Sequence, residues 1–167
     1  MAHPSVSIVM GSDSDLPVIE GAFEVLKKFG VEYEVHVISA HRSPDRALEF
    51  AKSARKKGVK AIIACAGSAA HLAGVIASHT TVPVIGIPIP SSDLKGLDSL
   101  LSTVQMPAGV PVATMGVGKA GATNGAILAL QMLALSDNDI REKLDSYKRE
   151  LAKKVEEADR KLKEKIG

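Results

Sequence analysis

His41 and Arg42 stand side by side in the segment Ser39-Ala40-His41-Arg42-Ser43-Pro44-Asp45. Histidine is the side chain that exchanges protons most readily near neutral pH. Arginine presents a planar fork suited to two-point contact with phosphate. The two together supply what acid–base work on a phosphorylated substrate needs. An exposed loop histidine beside a solvated guanidinium is the plain alternative.

Two further segments could share that work. Gly11-Ser12-Asp13-Ser14-Asp15 combines a glycine that permits close backbone approach with serine hydroxyls and the free N–H groups of a helix start, which can cradle a phosphate. Its carboxylates would repel a phosphate and fit sugar hydroxyls better. N-capping by Ser14 or Asp15 explains the same residues equally well. Gly67-Ser68-Ala69-Ala70-His71-Leu72-Ala73-Gly74 has small side chains that let a planar ligand lie against the backbone. His71 is expected in the first turn of a helix there, where a structural histidine is commoner than a catalytic one.

Other chemistries find less support. His3 lies in the N-terminal tail, His36 within a strand and His79 at a helix end, and no His/Cys/Asp/Glu cluster has metal-ligand spacing. Cys65, the single cysteine, sits in the apolar run 61–66, where burial makes a thiol inert. No G-x-S-x-G elbow is present. Gly116, Gly118 and Gly121 form a loose G-x-G-x-x-G, but it follows the last strand and no acidic residue stands at a second strand's end about 20 positions on, so it is not a dinucleotide fingerprint.

The elements that must position these loops alternate along the chain. Strands are expected at Ser5–Met10, Tyr33–Ile38, Ala61–Ala66, Val84–Ile89 and Val112–Met115. Most of these runs are apolar without alternation, as in strands buried on both faces. Glu34-Val35-His36-Val37 alternates, which places that strand nearer an edge. Helices are expected from Leu16 to Phe29, stopped by Gly30; from Pro44, with Ser43 as N-cap, to before Gly58; and over Ala69–Ser78. Repeated strand–helix–strand units imply a parallel sheet with right-handed crossovers. The expected fold is therefore α/β, a three-layer, flavodoxin-like (Rossmann-type) sheet of order 2-1-3-4-5. In such a sheet, ligands bind at the carboxyl ends of the strands where strand order reverses, so the three loops should line one crevice.

The C-terminal part differs in character. Asn124–Leu135 is apolar nearly all round, as a buried helix is. From Asp137 onward the chain is charged, with Ile140, Leu144, Tyr147, Leu151, Val155, Ala158, Leu162 and Ile166 spaced by four and three. That narrow stripe suits a helix with one partner. At about 1.5 Å per residue it would be roughly 40 Å long, longer than the body of a small domain. It is expected to pack on a neighbouring subunit. The 167 residues are read as one domain, with a core over 5–135 and this helix over 137–166.

Composition bounds the partners. A net charge of +2 and an aromatic content of 3% without Trp argue against nucleic acid. No apolar run is long enough for a membrane span, and Met1-Ala2-His3-Pro4 carries no basic signal-peptide region. One cysteine cannot form a disulfide within the chain, which fits a reducing cytosol.

Four motifs in order carry a resemblance: Gly11-Ser12-x-Ser14-Asp15, Ser39-Ala40-His41-Arg42, Gly67-x-Ala69-Ala70-His71-Leu72, and Gly96-Leu97-Asp98-Ser99-Leu100-Leu101-Ser102-x-Val104-Gln105-Met106-Pro107. From Ser5 to about Leu135 the chain resembles the N5-carboxyaminoimidazole ribonucleotide mutases. The resemblance implies conversion of N5-carboxyaminoimidazole ribonucleotide to 4-carboxy-5-aminoimidazole ribonucleotide in purine synthesis. It implies no metal or organic cofactor, a homo-octamer and a cytoplasmic enzyme. His41 matches the catalytic histidine, while Ser12, Asp15 and Arg42 match substrate-binding positions. Ser39 and the Gly67–Leu72 loop, with Ala70, His71 and Leu72, match the nucleotide-pocket wall. A related branch joins free carbon dioxide to aminoimidazole ribonucleotide and tends to have Lys after the histidine, so Arg42 favours the mutase. Ser68 stands where many members have Gly, and Ala73 where many have Pro. A non-catalytic flavodoxin-like module is the alternative from another class. It lacks support because Gly11-Ser12 replaces the acidic strand end of a receiver, and the loops carry no aromatic residues to stack on a flavin.

Overall fold

A computed structural model describes residues 4–91 and 93–167; His3 lies outside them. The chain runs β1 (Val6–Met10), α1 (Leu16–Phe29), β2 (Tyr33–Val37), α2 (Pro44–Ala54), β3 (Ala61–Gly67), α3 (Leu72–Ala77), β4 (Val84–Ile89), α4 (Leu97–Val104), β5 (Ala113–Thr114), α5 (Lys119–Leu133) and α6 (Asn138–Ile166). The five strands form one sheet of order β2-β1-β3-β4-β5, and every neighbouring pair is parallel.

The apolar runs form strands because the sheet is covered on both sides. Val6, Ile8, Ile63 and Ile85 pack with α1 and α5 on one face, while Val9, Ile62, Ala64 and Val84 pack with α2 and α3 on the other. The close approach of α1 to α5 depends on a small residue: a side chain on Gly21 would meet Thr123 Oγ1 at 2.7 Å. At the start of α5, a side chain on Gly121 would meet the Gly116 carbonyl oxygen of the preceding loop at 1.7 Å.

β2 is the edge strand that its alternation predicts. Its polar side chains are the half-buried ones: Ser7 donates to Glu34, and the His36 ring packs edge-on to Phe50 at 5.4 Å. Val35 and Val37, on the α1 face beyond the reach of that helix, are 41% and 44% exposed.

Several boundaries shift from the sequence reading. α3 starts at Leu72 rather than Ala69 because the chain first makes a tight turn, with Ala70 N–H donating to the Ser68 carbonyl and His71 N–H to that of Ala69. α5 starts at Lys119, five residues before the expected Asn124, following Gly118 at φ +81°. α4 forms a helix that sequence patterning did not reveal. It is only eight residues long and holds buried hydroxyls: Ser99 donates to the carbonyls of Ile89 and Gly96, and Thr103 to that of Ser99.

α6 begins under a true cap, since the Asp137 carboxylate accepts from Ile140 N–H at 3.1 Å. Its first turns bury Ile140 and Leu144, and Tyr147 packs edge-on to Phe29 at 5.9 Å. Lys28 and Glu150 make the last contact with the body at 3.0 Å. Beyond it the stripe lies open, with Val155 70% and Ile166 76% exposed.

Candidate active site

Sheet register brings the strand exits level. Met10 of β1 pairs with Val37 of β2 and with Cys65 of β3. The three loops that follow therefore open into one cleft of about 340 Å³ at the carboxyl edge of the sheet. Ser12, Asp15, Ser39, His41, Arg42, Gly67, His71 and Leu72 all line it, together with Ser91 from the end of β4. Of the expected wall residues only Ala70 is displaced. It is 1% exposed, folded beneath the loop, while Ala69 faces the cleft.

The β1 loop caps its own short 3₁₀ turn. The Ser12 hydroxyl accepts from Ser14 N–H, and the Asp15 carboxylate accepts from Ser12 N–H at 3.2 Å. Capping and a place in the cleft are thus both true of this loop. Asp15 is nearly buried. Burial pushes its carboxyl above the usual value, the Ser12 N–H pulls it down, and neighbouring Asp13 pushes it up, for a net rise.

The β2 loop is tied down by serines. Ser43 donates from its hydroxyl to the Ser39 carbonyl at 2.9 Å and accepts from Ser39 N–H. The Ser39 hydroxyl in turn accepts from the backbone N–H and the Nε of Arg42. Arg42 reaches across to the first loop, its Nη2 donating to the Gly11 carbonyl at 3.3 Å. The guanidinium is thereby fixed between two loops, with donors left over for an anion.

His41 is fixed from the third loop. Its Nε2 lies 2.8 Å from Nδ1 of His71, and the rings meet at 82° with centroids 4.9 Å apart. One ring nitrogen donates and the other accepts, so the contact holds the two rings in fixed relative orientation. His71 sits at the N-cap of α3, one residue outside the helix. Sequence spacing gave no sign of this pairing, which needs the parallel register of β1, β2 and β3.

Ser91 and Ser68 were also missed as a pair. Ser68 adopts φ +53°, a left-handed conformation that costs a non-glycine residue about 1 kcal/mol or more. Ser91 follows the exit of a fourth strand, which the pairing of Gly67 with Ile89 brings level with β3.

The remaining titratable groups stand apart. His79 is held by Ser78 and the Val75 carbonyl, away from the cleft. Cys65 is fully buried, and burial pushes its thiol well up, with the Asp15 charge adding to the effect. Among the described residues, no three His, Cys, Asp or Glu side chains converge as a metal would require, and no helix is long and apolar enough to cross a membrane.

The family model of AIR carboxylase matches residues 5–154. The chain belongs to the AIR carboxylase family. It is 55% identical over 161 residues to the N5-carboxyaminoimidazole ribonucleotide mutase of Pyrococcus horikoshii, covering 96% of this chain and 90% of that one. It is 54% identical over 143 residues to the mutase of the same name from Bacillus subtilis, covering 86% and 88%. The crystal structure of Treponema denticola PurE superposes with a TM-score of 0.86 at 31% identity, covering 95% of this chain and 98% of that one. All three loops of the cleft lie inside the family match.

Proposed function

We propose that this chain converts N5-carboxyaminoimidazole ribonucleotide to 4-carboxy-5-aminoimidazole ribonucleotide in purine biosynthesis, with His41 as the proton carrier. The observation that supports this most is the His41–His71 hydrogen bond set beside the pinned Arg42 in one cleft. The names of the relatives from P. horikoshii and B. subtilis agree with it.

The chemistry follows from the residues. Protonated His41 gives its proton to the carbamate nitrogen, and the N–C bond breaks to release carbon dioxide. The enamine-like ring carbon C4 attacks that carbon dioxide, forming the new C–C bond. Neutral His41 then takes the C4 proton, which restores it and leaves an isomer of the substrate. A single base serves both steps only if it is held still, and His71 supplies that restraint. Arg42 and Ser12 hold the phosphate, Asp15 the ribose, and Ser39 forms part of the pocket wall. Gly67, Ala69, His71 and Leu72 form the wall that keeps the reactants together and water out.

The family name points to a second reading, in which free carbon dioxide is joined to aminoimidazole ribonucleotide. Arg42 following His41 favours the mutase.

The same reading makes the chain one domain, cytoplasmic, and assembled as a homo-octamer. The lone buried Cys65 fits a reducing compartment. Leu151, Val155, Leu162 and Ile166 lie open on α6, and burying each would contribute about 1.5 kcal/mol. A second copy is the partner that such a stripe fits.

The test is turnover of the nucleotide substrate, followed by absorbance of the carboxylated product. The wild type should form it and His41→Asn should not, while still binding nucleotide. A His41→Asn enzyme of near-normal rate would overturn the assignment.

A further inference from the structure

The amino edge of the sheet, opposite the cleft, carries the largest run of one charge sign in the chain. Lys52-Ser53-Ala54-Arg55-Lys56-Lys57-Gly58-Val59-Lys60 holds five basic residues and no acidic one, while the whole chain has a net charge of only +2. The other 158 residues therefore sum to −3. The run covers the end of α2, a turn with Gly58 at φ +85°, and the residue that enters β3. Beside it, Ser78–Pro83 leads from α3 into β4.

Arg55 joins the two segments, its Nη1 donating to Thr81 Oγ1 at 2.6 Å. It stands between two hollows of about 360 and 400 Å³, one bordered by Lys60 and the other by Lys52 and His79. No Asp or Glu lines either hollow among the described residues. His79 is held through Nδ1 by Ser78 and the Val75 carbonyl, which leaves Nε2 open. Cations are ordinary at a helix C-terminus, but that end carries only about half a negative charge. Elsewhere on the surface cations are paired: Lys28, Lys143, Arg160 and Lys163 each meet a carboxylate. Lys56 borders Asp45 and Glu49, and Lys57 lies within electrostatic reach of Glu34. Lys52 also borders Asp45 and Glu49, but among the described residues Lys52, Arg55 and Lys60 make no ion pair.

We infer that Lys52, Arg55, Lys60 and His79 form a second anion site, one that takes an oligophosphate chain. The guanidinium is pre-positioned by Thr81, and its remaining donors can grip one phosphate in fork geometry. Lys52 and Lys60 flank it as point charges in separate hollows, so a chain of phosphates can use all three cations where a single phosphate cannot. No Phe, Tyr or Trp lines the hollows, so there is no platform on which a base could stack. Recognition therefore falls on the phosphate chain, which a nucleoside triphosphate and an inorganic polyphosphate share. The site stands at the opposite strand ends from His41, so it acts by binding and takes no part in the chemistry of the cleft.

The experiment is calorimetric titration of the full chain at roughly 0.15 M salt, where diffuse surface attraction is screened. The probes are inorganic tripolyphosphate, ATP and inorganic phosphate. Tripolyphosphate should bind at least about tenfold more tightly than phosphate. Lys52→Ala, Arg55→Gln and Lys60→Ala should each weaken it about tenfold, and Arg55→Lys by less than Arg55→Gln. Lys27→Ala, an exposed cation elsewhere, and Arg42→Ala, in the cleft, should leave it unchanged. ATP binding as tightly as tripolyphosphate supports the site with a nucleotide as its source; much weaker ATP supports it with an inorganic chain. All these variants except Arg42→Ala should turn over substrate at the wild-type rate. The absence of saturable binding overturns the site. So does equal weakening by Lys27→Ala, which marks diffuse charge, or weakening by Arg42→Ala alone, which places the ligand in the cleft.

Discussion

Nε2 of His41 and Nδ1 of His71 are 2.8 Å apart, across loops 30 residues distant in the chain. The sheet makes this contact: β1 lies between β2 and β3 in matched register, so residues after Val37 and after Gly67 flank the same crevice. A general acid that must also act as base needs a fixed ring and a partner able to accept or supply the bridging proton.

On the proposed mechanism His71 positions His41, and its loss should affect kcat more than binding. His71→Ala is expected to lower kcat by about 10²-fold, with KM nearly unchanged and the pH–rate profile displaced. His71→Asn, which can still hydrogen bond, should recover part of the rate. A profile identical to wild type at reduced rate would assign His71 a structural role only.

Arg42 should show the opposite balance. Its removal leaves an anion without its charge-assisted hydrogen bonds, which are worth roughly 1.5–3 kcal/mol. Arg42→Ala should therefore raise KM by about 10- to 100-fold, and Arg42→Lys should recover only part of it because a point charge cannot replace the fork. Steady-state kinetics decide the matter, and an unchanged KM would contradict the phosphate role.

Asp15 links the site to stability. Its carboxyl is raised by burial more than the Ser12 N–H lowers it, so the folded protein favours the protonated form. For an acid raised on folding, stability is greatest at low pH and is lost as pH climbs through the ordinary value of 3.8 toward the folded one. Asp15→Asn removes that cost. Thermal unfolding should show a higher Tm than wild type at pH 7, with the gap closing below pH 3.8, while substrate affinity falls. A lower Tm at pH 7 would show that the capping bond to Ser12 outweighs desolvation.

The distal stripe of α6 should matter for assembly, not for the fold. Residues past Glu150 make no part of the core, whereas Ile140 and Leu144 do. A chain ending at Glu150 should keep its helical content but show fewer subunits per particle by light scattering. An unchanged particle mass would remove the intersubunit role.

Much of this architecture was legible in the sequence. The unbroken apolar runs declared strands buried on both faces, and Gly30 and Pro44 marked helix ends where the structure has them. The three site loops could be placed because strand order dictates which exits are neighbours. What stayed hidden depends on tertiary context. α4 is short, and its buried Ser99 and Thr103 are satisfied by carbonyls that patterning cannot see. The inward turn of Ala70 and the left-handed Ser68 follow from a tight turn whose residues carry no glycine signal. The His41–His71 bond and the Ser68–Ser91 approach arise from strand register, which a single chain of letters does not display.

The central claim, a carboxyl transfer within one substrate molecule using His41, is tested most directly by isotope retention. Substrate labelled with ¹³C in its carbamate is converted in buffer purged of bicarbonate, and the product is read by NMR. The account predicts that the label appears on C4 without added bicarbonate, and that His41→Asn gives none. A product that forms only when bicarbonate is supplied, or that carries unlabelled carbon, would contradict it.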